Sequence, residues 1–136
     1  MRVSAKAEYA CLAMLALAGR RPEDPPVRIR EIAEAFAIPE RYLVQILLQL
    51  KGSGLVRSTR GASGGYHLSR PSDQISIGEI LTAIDGPPEP PKSPEQPAAQ
   101  ALAAVWKDVH NAERAVLFGT TIAQLIQTAS PREWVI

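Results

Sequence analysis

A chain of 136 residues, 46% hydrophobic and 21% charged, has the size of one domain with an appended element and can bury roughly two thirds of its unfolded surface without staples. A single cysteine, Cys11, excludes an internal disulfide framework, and with no Cys or His beside it at ligand spacing it gives no zinc signature. The net charge of +1 hides an uneven distribution, with eleven bases against six acids up to Pro71, four against eight beyond it, and four bases without an acid from Lys51 to Arg70. Such asymmetry points to a polyanion-binding half joined to a half with another task.

The first predicted element is a helix from Ser4, its N-cap, to Ala18, closed by Gly19 and the segment RRPEDPP. Its apolar run, residues 9–18, is too short to span a bilayer and has no small-residue cleavage site behind it, so it reads as a buried helix of a cytoplasmic protein, with no membrane partner. Ile29, Ile32, Ala33 and Phe36 then recur at helical spacing. Ile38 and Pro39 interrupt them, and Tyr42, Leu43, Ile46, Leu47 and Leu50 form a third helix with Pro39 in its first turn. Two short helices so closely spaced, the second ending at Gly52 and Gly54, make a helix-turn-helix pattern. Leu55, Val56, Tyr66 and Leu68 flank a glycine-rich loop, residues 61–65, and read as a β-hairpin. A helix-turn-helix followed at once by such a hairpin is a winged helix.

Ser76 and Glu79 form a capping-box pattern that opens a fourth helix, ending at Asp85 and Gly86. The segment PPEPPKSPEQP, residues 87–97, holds six prolines in eleven residues and reads as an extended, mobile connector. Leu102, Val105, Val109, Ala112 and Val116 recur by threes and fours after it, with Trp106 beside them, as the seam of another helix. The predicted fold class is mainly α with a small β-hairpin wing. A winged helix-turn-helix domain spans residues 1–86, a Pro-rich linker residues 87–97, and a long dimerisation helix with a C-terminal helix residues 98–136.

In a winged helix the recognition helix lies in the major groove of duplex DNA, and the hairpin tip follows the neighbouring backbone, where a narrow minor groove attracts arginine. Gly64 and Gly65 are expected to bring the tip close to the sugar-phosphate wall and to supply positive φ. A phosphate-cradling nucleotide loop is the competing reading, but such loops lead into a helix and carry GK before Ser or Thr, whereas this one leads into a strand. No nucleophile, base and orienting group assemble from any motif, which argues against an enzyme. His67 and His110 have no ligand partners near them in sequence, and the apolar neighbours of Cys11 mark it as buried and inert rather than a redox thiol.

The start MRVSAKAEYA, the helix PERYLVQILLQLKGSGLV and the run LVRSTRGASGGYHLSRP, with its wing motif RGxxGGYxL, resemble the Rrf2 family of bacterial winged-helix transcription regulators, which includes IscR-type and NsrR-type repressors. The resemblance is close over residues 1–86 and resumes over AVWKDV and GTTIAQL. It implies a homodimer in which a long helix crosses to the partner. By position it implies DNA contacts for Arg41, Tyr42 and Gln45, minor-groove entry for Arg60 and phosphate contacts for Lys51 and Ser58, with Arg28 a further DNA-binding candidate. Leu102, Val105, Trp106, Val109 and Val116 are the candidate dimerisation residues.

Val44 stands where many members carry an acid, so the operator is expected to depart from the commonest family site, with a thymine methyl as the gained contact. Cluster-binding relatives carry cysteines in the connector and a further ligand shortly before the counterpart of Trp106. The positions of the last cysteine and the histidine correspond here to about Gln100 and Ala103, which cannot hold iron through sulfur or imidazole. Glu8 matches a site where some relatives place a carboxylate ligand. The expectation is a chain without cofactor or metal, and in particular without an iron–sulfur cluster. The expected function is sequence-specific transcription regulation by a dimeric repressor on a pseudo-palindromic site in double-stranded DNA, answering to a small molecule or a partner protein. The alternative is a winged-helix module whose basic face docks protein, with little specific DNA binding.

Overall fold

Ser4 starts the first helix by local chemistry: its side-chain oxygen accepts a hydrogen bond from the Ala7 N–H at 3.0 Å, taking up one of the donors that a helix start leaves open. In the computed structural model, which describes residues 1–128, this helix, α1, spans Ala5–Ala18. Ala7, Ala10, Ala13, Met14, Ala16 and Leu17 are buried. Alanines at these positions let neighbouring elements approach closely, and α1 packs against the helices and the hairpin that follow it. It is the central rod of the molecule.

The helix-turn-helix is α2 (Ile29–Phe36) followed by α3 (Glu40–Gly52). Ala37 takes the left-handed conformation at φ 52°, and the Ile38 N–H reaches back to the Ala33 carbonyl at 3.0 Å, so the chain leaves α2 sharply although no glycine stands there. Pro39 sits one position before the first turn of α3, at its N-cap, and its carbonyl accepts from Tyr42 and Leu43 at 3.1 and 3.2 Å. Leu43, Ile46, Leu47 and Leu50 turn into the core, which leaves the opposite side of α3 facing outward.

The wing is β1 (Val56–Thr59) paired antiparallel with β2 (Gly65–Leu68), in the register Val56↔Leu68, Arg57↔His67, Ser58↔Tyr66 and Thr59↔Gly65. A third strand position, which periodicity does not reveal, joins it: Val27 exchanges both backbone bonds with Tyr66, at 2.9 and 2.8 Å. The hairpin is thus stitched to the segment that leads into α2. The requirement at Gly64 and Gly65 is accordingly not positive φ, which among the loop glycines belongs to Gly61 at 105°. A Cβ on Gly64 would collide with the Thr59 carbonyl, and one on Gly65 with the backbone of Val27. These glycines fold the wing onto its own base.

After a 3₁₀ turn, Ser72–Gln74, the capping box predicted at Ser76 and Glu79 is complete in both directions, at 3.1 and 2.9 Å, and opens α4 (Ile77–Asp85). Burial pushes the Glu79 carboxyl up, but the bonds from Ser76 and from Arg70, the latter at 2.9 Å, outweigh it and hold the group below the usual carboxylate value. The connector reaches to Gln96, and Pro97 opens α5 (Pro97–Gly119) in the first-turn position that suits proline. At the far end of α5 the chain turns back. Ile77 N–H bonds to Thr120 O and Ile122 N–H to Ile75 O, at 2.9 and 3.0 Å, and α6 (Ile122–Thr128) docks with Ile122 in the same core as α1 and α4. Residues 129–136 of the predicted C-terminal region lie outside the described residues.

Candidate nucleic-acid interface

Because Leu43, Ile46, Leu47 and Leu50 hold the inner stripe of α3, helical geometry delivers Arg41, Val44, Gln45, Leu48 and Lys51 to one outer face at intervals of three and four. All five are exposed. Arg41 also lies over the Tyr42 ring, its guanidinium carbon 5.2 Å from the centroid, which restrains both side chains near the start of the helix. Leu48, 58% exposed, was not among the residues singled out from sequence. The signal was present in the spacing 41, 44, 48, 51, but a search for polar groups passes over a leucine. An apolar side chain between Gln45 and Lys51 is chemically suited to a thymine methyl, as is Val44.

The wing stands beside this helix pair and carries its own cations. Arg28 and Arg60 flank one cleft together with the half-buried Ser58, the cleft being floored by Gly64, Gly65 and Tyr66. Arg28 does more than present charge: its guanidinium donates to the carbonyl of Ala62 at the wing tip, so this arginine braces the hairpin against the start of α2. The α2 N-terminus has no side-chain cap, and Arg28 and the exposed Arg30 stand at it together with Glu31, the acid of its first turn. Arg60 is exposed at the end of β1, immediately before Gly61. Arg57, which the sequence reading also passed over, is exposed one position before Ser58 and by strand alternation lies on the other face of the hairpin. Arg20 and Arg70, near it, are engaged with Glu31 and Glu79, each at 2.9 Å.

The predicted seam lies along α5 as a continuous outer stripe. Leu102, Val105, Trp106, Val109 and Val116 are each about half exposed or more, from 49% at Val109 to 66% at Val116. Among the described residues α5 fully buries none of its side chains, although Phe118 packs on Gly78 of α4, where a Cβ would run into the ring.

The donor set does not fit an iron–sulfur cluster. Among the described residues no three His, Cys, Asp or Glu side chains come together as a metal site, and the one thiol of the chain, Cys11, stands on α1. Burial, reinforced by the charge of Glu8, pushes that thiol up to about 11. At pH 8 Cys11 in the folded protein is therefore expected to react with iodoacetamide roughly 100-fold more slowly than in urea, the rate climbing about tenfold per pH unit until the thiol titrates. A folded-state value above the unfolded one also makes stability fall as pH rises from the ordinary thiol range toward 11. Cys11 is half-buried against the core rather than fully enclosed as its neighbours in sequence suggest, and fast alkylation at pH 8 contradicts that placement.

The sequence matches the family described as "Rrf2: Iron-dependent Transcriptional regulator" over residues 3–128. An HTH-type transcriptional regulator of Mycobacterium tuberculosis is 41% identical over 137 residues, covering 96% of this chain and 84% of the relative. The HTH-type transcriptional regulator CymR of Bacillus subtilis is 35% identical over 127 residues, covering 92% and 89%. The solved structure of CymR, described as the global cysteine regulator of B. subtilis, superposes with a TM-score of 0.83 at 33% identity, over 96% of this chain and 99% of that one. IscR of T. potens superposes with a TM-score of 0.78 at 32% identity, over 97% and 90%. With the exposed face of α3 and the braced cationic wing beside it, these likenesses place the chain in the Rrf2 family of winged helix-turn-helix transcription regulators, as a DNA-binding protein rather than an enzyme.

Proposed function

We infer that the chain acts as a homodimeric, sequence-specific repressor on a pseudo-palindromic operator, without an iron–sulfur cluster. The observation that carries this reading is the pairing of two cation-bearing surfaces on one side chain scaffold: the outer face of α3, and a wing held in place by Arg28 and by the Val27–Tyr66 bridge. In this reading α3 enters the major groove, where Arg41, Tyr42 and Gln45 meet base edges and Val44 and Leu48 meet thymine methyls. Lys51, Ser58 and Arg28 hold phosphates, and Arg60 enters the adjacent minor groove. Residues 1–86 do the binding, residues 87–97 connect, and α5 pairs two copies through its apolar stripe, so that two α3 helices lie about one DNA turn apart. No helix among the described residues is long and apolar enough to cross a membrane, and the site of action is the cytoplasm, where the DNA is. Repression follows if the bound site overlaps the promoter, and release requires an effector, small molecule or protein.

The test is binding to a duplex taken from the protein's own promoter region, titrated at several salt concentrations. With about six to ten phosphates neutralised per dimer, affinity is expected to fall by roughly 10³ to 10⁵ between 50 and 200 mM salt, and a scrambled duplex to bind far more weakly throughout. A flat salt response, or equal affinity for the scrambled duplex, overturns the reading and is what a protein-docking module would give.

A further inference from the structure

α5 has two unlike faces. The apolar stripe occupies one. On the opposite side Lys107, His110 and Arg114, one to two turns apart, face the proline-rich connector, which runs alongside and brings Lys92 to the same place. Between connector and helix lies a groove of about 540 Å³, within the size range of small-molecule sites. Three cations, Lys92, Lys107 and Arg114, border it and no acid does. Among the described residues none of the three forms an ion pair. All three are exposed and without a counter-ion, so an anion seated among them is attracted by three cations and displaces no existing partner. The remaining walls are Pro90, Pro91 and Pro94 of the connector with Ser93 among them, and Ala103, Ala104 and His110 of α5.

The geometry points to this groove as a regulatory site for a small amphipathic anion, a phosphate ester or carboxylate with an apolar body. Its negative group sits among Lys92, Lys107 and Arg114, with Asn111 and Gln100 as further hydrogen-bond donors, and its apolar part lies against the prolines. Arg114 links the site to the rest of the molecule. Its guanidinium carbon lies 4.8 Å from the centroid of Phe118, the ring that packs on Gly78 in the first turn of α4. The next residue of α4, Glu79, holds Arg70, which follows the wing. An anion that draws Arg114 into the groove removes its charge from the Phe118 ring and so acts on the contact between α5 and α4. The consequence at DNA rests on the regulator reading; binding of the anion does not.

The probe is 8-anilinonaphthalene-1-sulfonate, an aromatic anion whose fluorescence rises in apolar surroundings, titrated into the full chain. Saturable enhancement with one site per chain is expected, displaced by phenyl phosphate or benzoate and not by benzyl alcohol. The stronger competitor identifies whether phosphate or carboxylate is preferred. Lys107→Gln combined with Arg114→Gln is expected to weaken the dye by roughly tenfold or more, and Lys92→Gln alone, in the connector and away from any helix packing, to weaken it less. Phenyl phosphate is also expected to shift operator affinity of the unmodified protein and not of the double variant. Dye that benzyl alcohol displaces, or that the variants bind unchanged, is seated on the apolar stripe and overturns the site. Variants that lose operator affinity with a shallower salt dependence, in a protein that binds no dye, show instead that these cations touch DNA phosphates. That result overturns the anion site and leaves the regulator reading standing.

Discussion

Replacing Val109 by aspartate is expected to turn the protein into monomers and to lower operator affinity by at least about 100-fold, the effect of losing one of two linked binding modules. Val109 lies midway along the stripe formed by Leu102, Val105, Val109, Ala112 and Val116 on a helix of 23 residues. That helix is about 35 Å long, so a twofold pairing through the stripe buries each valine or leucine twice, at roughly 1.5 to 3 kcal/mol for each side chain that becomes fully buried. An aspartate in the middle would bring two unpartnered carboxylates into the joint, at a cost of several kcal/mol. The isolated chain tolerates the change because position 109 is about half exposed there, so the monomer keeps its helical circular dichroism. Sedimentation equilibrium and fluorescence anisotropy read the two quantities separately. A Val109→Asp protein that remains dimeric, or that binds the operator as before, removes the stripe from its proposed role.

Features set by neighbours in the chain were legible from it. Ser4 capping α1, the break between α2 and α3, the reciprocal pair Ser76 and Glu79, and the two wing strands all follow from local rules of capping, periodicity and turn chemistry. Features set by distant segments were not. Val27 is a single bridging residue between Pro26 and Arg28, too short to carry a period, and only its placement against Tyr66 makes it part of the wing. Gly64 and Gly65 were singled out, but their crowding by Thr59 and Val27 within the chain was not legible, because it joins segments that only the tertiary fold brings together. The return of the chain at residues 120–122 onto residues 75–77 joins positions about 45 apart, and it alone sets Ile122 into the core. The connector reads as mobile from its prolines; its position along the cationic side of α5 is a tertiary fact. On the outer face of α3, Arg41, Tyr42, Gln45 and Lys51 were singled out and are exposed, whereas Leu48 was passed over because its exposure depends on which stripe of α3 the core claims.

Arg60→Ala is expected to weaken operator binding by roughly 1 to 3 kcal/mol for each wing, about 30-fold or more for the two wings of a dimer, and to reduce the salt dependence by about one contact per wing. The magnitude follows from how the side chain is presented. The hairpin beneath it is held by four paired positions between β1 and β2, by the double bond between Val27 and Tyr66, and by Arg28 on the Ala62 carbonyl. Arg60 is therefore delivered on a frame already ordered before binding, and little of its interaction is spent on fixing the wing. Arg60→Lys keeps the charge but not the planar fork, so it is expected to restore the salt dependence while recovering only part of the affinity if the arginine enters a narrow minor groove. Arg28→Ala loosens the same frame from behind and is expected to lower affinity less than Arg60→Ala, with faster dissociation. Both variants should keep the melting temperature within a few degrees of the unmodified protein, since each changes an exposed side chain. Anisotropy titrations on the operator and on a duplex altered only in the flanking minor-groove steps distinguish entry into the groove from simple attraction to phosphate. An Arg60→Ala protein that binds as tightly as the original at every salt concentration would mean that the wing tip does not touch DNA.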